Sequence, residues 1–295
     1  MGKSTLLRTL AGLQTLIKGE IKLSGQPVST LTPERIALKI SVVLTEAVNV
    51  GAMDVFSVVA LGRYPYTNWF GSLKATDVKV IEDSLKAIDA SELINRKFTE
   101  LSDGERQKVM VARALAQEPE IMLLDEPTAY LDLPHRVIMM QLMKNLAHRL
   151  NKAVLVSTHD LDLAIRTADV LWVMRKGGHC DVGAPEDLIL SNALGGAFAQ
   201  EGVKFDLKSG AFQMPARASG TVGLDGPAGL VKLWTSRALS RVGYEVLMAE
   251  DLKTPYVMIE SINGRPAWQV YTSSSVESCN SLYDVIQHLR TADLA

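Results

Sequence analysis

Leu6, Leu7, Leu10 and Leu13 recur at three- and four-residue spacing behind Ser4-Thr5, and Gly12 and Gly19 bracket the far end, so the chain opens on a predicted helix. Residues 20–23, followed by Gly25-Gln26-Pro27, read as a strand and turn, and 40–44 as a short β-branched strand suited to burial. From 47 to about 100 the pattern is helical, with Val55, Val58, Val59 and Leu61 in one segment and Val78, Ile81, Leu85 and Ile88 in another. A helix at 105–117, a strand at 121–124, a helix at 134–150 and a strand at 153–157 follow. Strands alternating with helices predict a parallel sheet, so 47–104 becomes a helical insertion into an α/β core. A further strand at 171–174 and a helix at 185–190 complete this part.

Past about Glu201 the character changes: Gly, Ser and Pro crowd 209–229 and no further strand–helix alternation is read. A second, smaller α+β domain is expected over 201–295, with the first over 1–200. Its expected elements are a hairpin around Lys208-Ser209-Gly210, a helix at 230–242 stopped by Gly243, strands at 244–248, 256–262 and 267–272, an exposed Asn263-Gly264 turn with Trp268 as an ordinary hairpin residue, and a helix near 282–291.

The chain of 295 residues is long enough for two cores. With 47% apolar and 22% charged residues it is neither low-complexity nor disordered in composition. The balance of 31 basic against 33 acidic side chains gives no global reason to expect nucleic acid as a partner. Cys180 and Cys279 are too far apart for a metal-ligand pair, and a reducing compartment fits two lone cysteines. No stretch approaches the roughly 18 apolar residues of a membrane helix, and the start lacks the apolar core of a signal peptide. Met1-Gly2 does not open a myristoylation pattern, because Leu6 stands where Ser or Thr is needed.

Gly2-Lys3-Ser4-Thr5 running into a helix matches the second half of a phosphate-binding loop, in which glycine lets backbone amides surround phosphates, the lysine reaches the β and γ phosphates and the serine binds Mg²⁺. An ordinary helix N-cap explains the same four residues. At 121–127 an apolar strand delivers Asp125-Glu126-Pro127 to its C-terminal end, where parallel-sheet sites lie. Asp125 is placed to hold the Mg²⁺ of a nucleotide and Glu126 to orient or deprotonate a water during in-line displacement; an Asp-capped turn is the plainer alternative.

Between these motifs, Leu101-Ser102-Asp103-Gly104-Glu105-Arg106-Gln107 resembles the signature loop of ATP-binding cassette (ABC) proteins, and Ala112-Arg113-Ala114-Leu115 matches the helix behind it. The resemblance implies a P-loop NTPase fold: a RecA-like parallel-sheet core, an α-helical subdomain and a small α+β C-terminal domain. It also implies ATP and magnesium as ligands, with Leu101, Ser102, Asp103 and Gly104 of one copy meeting the γ-phosphate held by a second copy, at a positive helix end. Leu131-Asp132 resembles the family's D-loop, and His159 in Ser157-Thr158-His159-Asp160 its switch histidine. Two departures stand out. Asp103 replaces a glycine, which puts a carboxylate either near the γ-phosphate or at the cap of the next helix. Glu46 stands where the family has a glutamine that senses Mg²⁺ and the attacking water.

Within the insertion, 60–67 with Trp69 and Phe70 behind it is similar to a segment of cassettes that drive importers of iron siderophores, haem and cobalamin. Arg63, Tyr64, Tyr66 and Trp69 are expected to anchor a cytoplasmic loop of a permease, with an aromatic minicore as the alternative. The resemblance implies a homodimeric ATPase, peripheral on the inner face of a bacterial cytoplasmic membrane and tied indirectly to a periplasmic binding protein. A soluble cassette acting in cluster assembly, repair or translation, or an inactive cassette that only binds membrane subunits, are the competing readings. The C-terminal domain is expected to regulate or to support dimerisation without catalysis. The first four positions of the phosphate-loop pattern would precede Met1, and no residue matches the family's adenine-stacking aromatic, so the chain is expected to lack N-terminal strands.

Overall fold

The computed structural model describes residues 2–45, 50–68, 71–175, 177–198, 204–206, 211–213, 220–248, 255–262, 264–273 and 275–292. The chain forms two compact units, Met1–Ala197 and Phe198–Ala295.

The first unit begins with helix α1 (Lys3–Leu10) and a short antiparallel pair, β1 (Lys22–Leu23) with β2 (Gln26–Pro27). Helix α1 stops earlier than its leucine spacing predicts; Leu7 is buried, and Leu13 lies past the end, exposed to solvent. Helix α2 (Pro33–Ala37), capped by Thr32, leads into β3 (Ile40–Val43). The insertion holds α3 (Val55–Ala60), a 3₁₀ segment (Leu61–Tyr66) and α4 (Ala75–Ala87). Then follow α5 (Asp103–Ala116), β4 (Ile121–Asp125), α6 (Leu133–Arg149), β5 (Ala153–Ser157) and α7 (Leu161–Thr167). An antiparallel pair, β6 (Leu171–Met174) with β7 (Cys180–Gly183), and two short helices, α8 (Pro185–Leu190) and α9 (Ala193–Phe198), close the unit.

Strands β3, β4 and β5 form a parallel sheet in that order. The unbroken apolar run of β4 follows from burial on both faces. Leu123 packs with Leu7, Leu23, Val28 and Ile40 on one side, whereas Met122 and Leu124 join Val43, Val58, Ile81, Val109 and Met139 on the other. The sheet lies between the two clusters, so β4 is packed on both faces. The insertion is fastened just as closely: a Cβ added to Gly62 would lie 2.1 Å from the Arg113 carbonyl oxygen, so only glycine lets the 3₁₀ segment approach α5.

In the second unit β8 (Lys204–Asp206) pairs antiparallel with β9 (Ala211–Gln213); the predicted turn at Lys208-Ser209-Gly210 between them lies outside the described residues. A five-stranded sheet follows, built from β10 (Gly220–Asp225), α10 (Leu230–Arg241), β11 (Tyr244–Met248), β12 (Tyr256–Ile262), β13 (Arg265–Tyr271), β14 (Val276–Cys279) and α11 (Leu282–Ala292). Its order is β11-β10-β12-β13-β14. Strand β10 runs parallel to both neighbours and returns through α10 to β11, a strand–helix–strand unit that corrects the expectation of none past Glu201. The sequence hid it because the strand carries two glycines in a Gly/Ser/Pro-rich stretch. Trp268 is also reassigned: it is buried in this unit's core and donates its indole N–H to Thr235 Oγ1 at 2.9 Å.

Candidate functional site

The parallel strands β4 and β5 end level, with Asp125 opposite Ser157, and the residues just beyond them meet the start of α1. Gly2 caps α1 at φ 80°, a left-handed conformation that glycine tolerates and that turns the chain into the helix. Ser4 and Thr5 are exposed on the first turn. Lys3 reaches across: its Nζ donates to the Thr158 carbonyl at 2.7 Å and lies 3.5 Å from Glu126 Oε1. His159 Nδ1 lies 3.4 Å from the other oxygen, Glu126 Oε2. Glu126 therefore stands between a cation and an imidazole, at distances that allow its partners to leave.

Asp125 differs from its neighbour in every respect that matters to chemistry. It is buried, and Ser157 Oγ donates to its Oδ1 at 2.5 Å. Glu126 has φ 50°, a left-handed backbone that costs a non-glycine residue about 1–2 kcal/mol, and its amide donates to both the Ser157 carbonyl (3.1 Å) and Ser157 Oγ (3.0 Å). Thr45 Oγ1 donates to the Asp125 carbonyl at 2.8 Å, which ties the end of the β3 segment to the site. Glu46, the expected metal-sensing position next to it, lies outside the described residues.

The signature segment is built as a helix start. Leu101 is buried, Ser102 is the N-cap of α5, and Ser102 and Glu105 form a reciprocal capping box. The Ser102 amide and hydroxyl both donate to Glu105, and these hydrogen bonds hold the Glu105 carboxyl below the usual range against the opposing effect of burial. The expectation that Asp103 caps this helix is therefore corrected: Asp103 is the first helical residue, mostly exposed, and pairs with Arg106 at 3.4 Å.

Gly104 lies against the D-loop, for a Cβ there would meet the His135 ring at 3.5 Å. Leu131 is buried, and Asp132 caps α6 by accepting from the His135 amide. Asp132 Oδ1 also sits 2.5 Å from His135 Nδ1, and this bond is the first cause of its lowered pKa. Arg136 Nε donates to the Leu131 carbonyl at 2.7 Å, and its guanidinium lies 3.9 Å from Asp160, which caps α7 beside His159. Ser157, His135 and Arg136 went unread in the sequence, since a serine ending a strand or a basic residue in a first helical turn carries no spacing signal. Lys3, Asp125, Glu126 and His159 thus converge; of the signature segment Gly104 lies against Leu131 and His135, and no direct hydrogen bond or ion pair among the described residues joins Ser102, Asp103, Gly104, Leu131 or Asp132 to that group.

Arg63 requires a correction. Its guanidinium is 5% exposed and committed inside the protein: Nε donates to Asp77 Oδ1 at 2.9 Å, one terminal nitrogen lies 2.9 Å from the same carboxylate, and the other reaches the Ala116 carbonyl at 2.8 Å and Glu118 at 2.6 Å. Its Cζ also stacks 4.0 Å from the Tyr66 ring centroid, and the Tyr66 hydroxyl donates to the Gln117 carbonyl at 3.1 Å. A charge that sits this deep must be paired, and here it pins α4 and the 3₁₀ segment to the end of α5. Tyr64 is 79% exposed and remains available as an anchor; Trp69 lies outside the described residues.

The ABC transporter family profile matches residues 1–129, and the iron ABC transporter C-terminal domain profile matches 219–290. A siderophore transport system ATP-binding protein of Bacillus subtilis is 33% identical over 67% of this chain and 72% of its own length. The chain belongs to the ABC transporter family. An uncharacterised ABC transporter ATP-binding protein of Methanocaldococcus jannaschii is 45% identical over 64% of this chain; the match spans 65% of that relative, just under two thirds of its length. A solved ABC transporter described as of the metal-chelate type, in an inward-facing conformation, aligns with a TM-score of 0.58 and 31% identity over 67% of this chain and 73% of that one. The P-loop NTPase core with a helical insertion is accordingly the family's fold. No helix among the described residues is long and apolar enough to cross a membrane.

Proposed function

We propose that this cassette binds and hydrolyses ATP as the motor subunit of an importer for an iron complex, of the siderophore, haem or cobalamin type, working as a homodimer under separate permease subunits at the cytoplasmic membrane. The observation that carries the reading is the convergence of Lys3, Asp125, Glu126 and His159 at the C-terminal edge of the parallel sheet and the start of α1. The iron transporter C-terminal domain profile and the siderophore and metal-chelate relatives support the cargo class.

A nucleotide entering this site offers its γ-phosphate to the amides of the α1 start and to Lys3. Lys3 exchanges its contacts with Glu126 and the Thr158 carbonyl for phosphate oxygens. Glu126, released from the lysine, then accepts the proton of the attacking water, and His159 on its second oxygen keeps the carboxylate facing the reaction.

The residues fit magnesium. Mg²⁺ is typically bound by one or two carboxylates, substrate phosphates and water, and it would neutralise charge on the phosphates. Asp125, with Oδ1 on Ser157, presents Oδ2 without a partner among the described residues, and the exposed Ser4 hydroxyl supplies a second hard donor. The signature segment (Leu101, Ser102, Asp103, Gly104) and the D-loop (Leu131, Asp132) serve the site of a second copy. Tyr64, with Tyr66 behind it, faces the permease, and a periplasmic binding protein acts only through that permease.

The test is ATP hydrolysis and trinitrophenyl-ATP binding by the full chain, alone and with candidate permease subunits. Magnesium-dependent hydrolysis that is lost in Glu126→Gln while binding persists supports the reading; no hydrolysis by the parent with or without permease rejects it, and hydrolysis unchanged by that substitution rejects Glu126 as the base.

A further inference from the structure

The three residues at the end of β5 each hold a different part of the site. Thr158 offers its carbonyl to Lys3, and His159 its ring to Glu126. Ser157 does the most: it is 7% exposed, and its single hydroxyl binds Asp125 and Glu126 at once. The directions follow from chemistry. An ionised carboxylate only accepts, so the serine proton goes to Asp125 Oδ1, and a serine lone pair is left to receive the Glu126 amide. The carbonyl of the same residue shares that amide, which makes the bond bifurcated.

We infer that Ser157 is a positioning residue of the hydrolytic site, a hydroxyl that fixes which oxygen of Asp125 faces the metal and holds Glu126 in its left-handed turn; the inference rests on the ATPase reading above. Two features make the hydroxyl, rather than mere bulk, decisive. With Oδ1 engaged, the Asp125 carboxylate cannot rotate freely in its buried slot, so Oδ2 is presented in a single orientation. Glu126 at φ 50° has no intrinsic preference for that backbone, and the amide bonds to Ser157 offset the strain. Removing the hydroxyl leaves Asp125 buried with one fewer donor and lets the Glu126 carboxylate shift relative to Lys3 and His159. Partners that orient a metal-binding carboxylate typically contribute about 10- to 100-fold in metal affinity or activity.

The experiment compares Ser157→Thr, which keeps a hydroxyl, with Ser157→Val, which has the same shape without one, and with Asp125→Asn, all in the full chain. Trinitrophenyl-ATP affinity in EDTA, the Mg²⁺ concentration for half-maximal hydrolysis, kcat and melting temperature are measured for each. Ser157→Val is expected to bind nucleotide in EDTA within about 2-fold of the parent, to need about 10-fold or more Mg²⁺ and to lose about 10-fold or more in kcat. Ser157→Thr should stay within about 3-fold in every quantity. If Thr and Val behave alike, whether both active or both impaired, the hydroxyl is not the operative group and the inference fails. The mutation of Asp125 separates this failure from a deeper one. If Asp125→Asn abolishes the magnesium response while Ser157→Val leaves it intact, only the positioning role falls; a magnesium response that survives Asp125→Asn removes Asp125 from the metal site and the inference with it, and a parent chain that hydrolyses no ATP overturns the ATPase reading beneath both.

Discussion

Two clusters of the first unit pair carboxylates with basic side chains, Arg63 between Asp77 and Glu118 and Glu126 between Lys3 and His159, and they are built to opposite ends. Around Arg63 every partner sits between 2.6 and 2.9 Å, the guanidinium and Asp77 are nearly inaccessible, and Tyr66 covers the remaining face. Around Glu126 the contacts to His159 and Lys3 stretch to 3.4 and 3.5 Å, and the Lys3 and Glu126 side chains keep close to a third of their surface in water. In the first cluster the guanidinium and Asp77 are closed to any ligand, and only Glu118 reaches solvent. The second is a set of charges whose partners a phosphate group would exchange. Charge pairing alone therefore does not mark a functional site; short, saturated, dry pairing marks a structural one, and long, half-solvated pairing around a rigid buried anchor marks a reactive one. Asp125 is that anchor.

Breaking either cluster should separate the two roles. Lys3→Ala is expected to lower kcat by about 10²- to 10³-fold, the range for losing one preorganised charge-stabilising group, with a melting temperature within a few degrees of the parent. Arg63→Ala should do the reverse. Leaving Asp77 and Glu118 without their cation costs about 3 kcal/mol of stability, which lowers the melting midpoint by roughly 6–12 °C, while the kcat of the folded fraction at a permissive temperature stays within about 2-fold. An Arg63→Ala protein with parental melting and lost activity would invert the assignment. A smaller effect comes from acid. The backbone N–H of Lys74 first, and then Arg63, hold Asp77 below its ordinary pKa against the opposing effect of burial, so the stability it contributes is present above the ordinary carboxylate range and is lost as pH falls through its depressed value. Asp77→Asn should flatten that acid limb of a melting-temperature profile, and an unchanged limb would show that other carboxylates set it. Tyr64→Ala, on the exposed tip of the same segment, should change neither melting nor basal hydrolysis measurably; under the proposed permease contact its effect is expected in co-purification with permease subunits.

The sequence made β4 legible because a strand buried on two faces leaves an unbroken apolar run, and β3 and β5 through their short β-branched runs. The same logic exposed Asp125-Glu126 at a strand end, whereas His159 was picked out only by the resemblance of Ser157-Thr158-His159-Asp160 to the family's switch segment. What it could not carry was depth. Arg63 sits among aromatics in a loop, which suits a surface anchor as well as a stacked core cation, and only the approach of α4 and α5 decides between them. Ser157 was invisible for the opposite reason: its importance lies in one hydroxyl reaching two residues on a neighbouring strand, a relation that register creates and spacing does not. Strand β10 was lost to its glycines, although its parallel neighbours on both sides bury Val222 and Leu224 completely.

The central claim, that Glu126 is the displaceable carboxylate of a hydrolytic site anchored by Asp125, is tested most directly by Glu126→Gln in the full chain. Nucleotide affinity and single-turnover hydrolysis should be measured on the same preparation. The account predicts ATP binding within about 3-fold of the parent and a hydrolysis rate lower by about 10²- to 10⁴-fold, the contribution of a positioned general base. Hydrolysis within a few-fold of the parent, with binding intact, would contradict it.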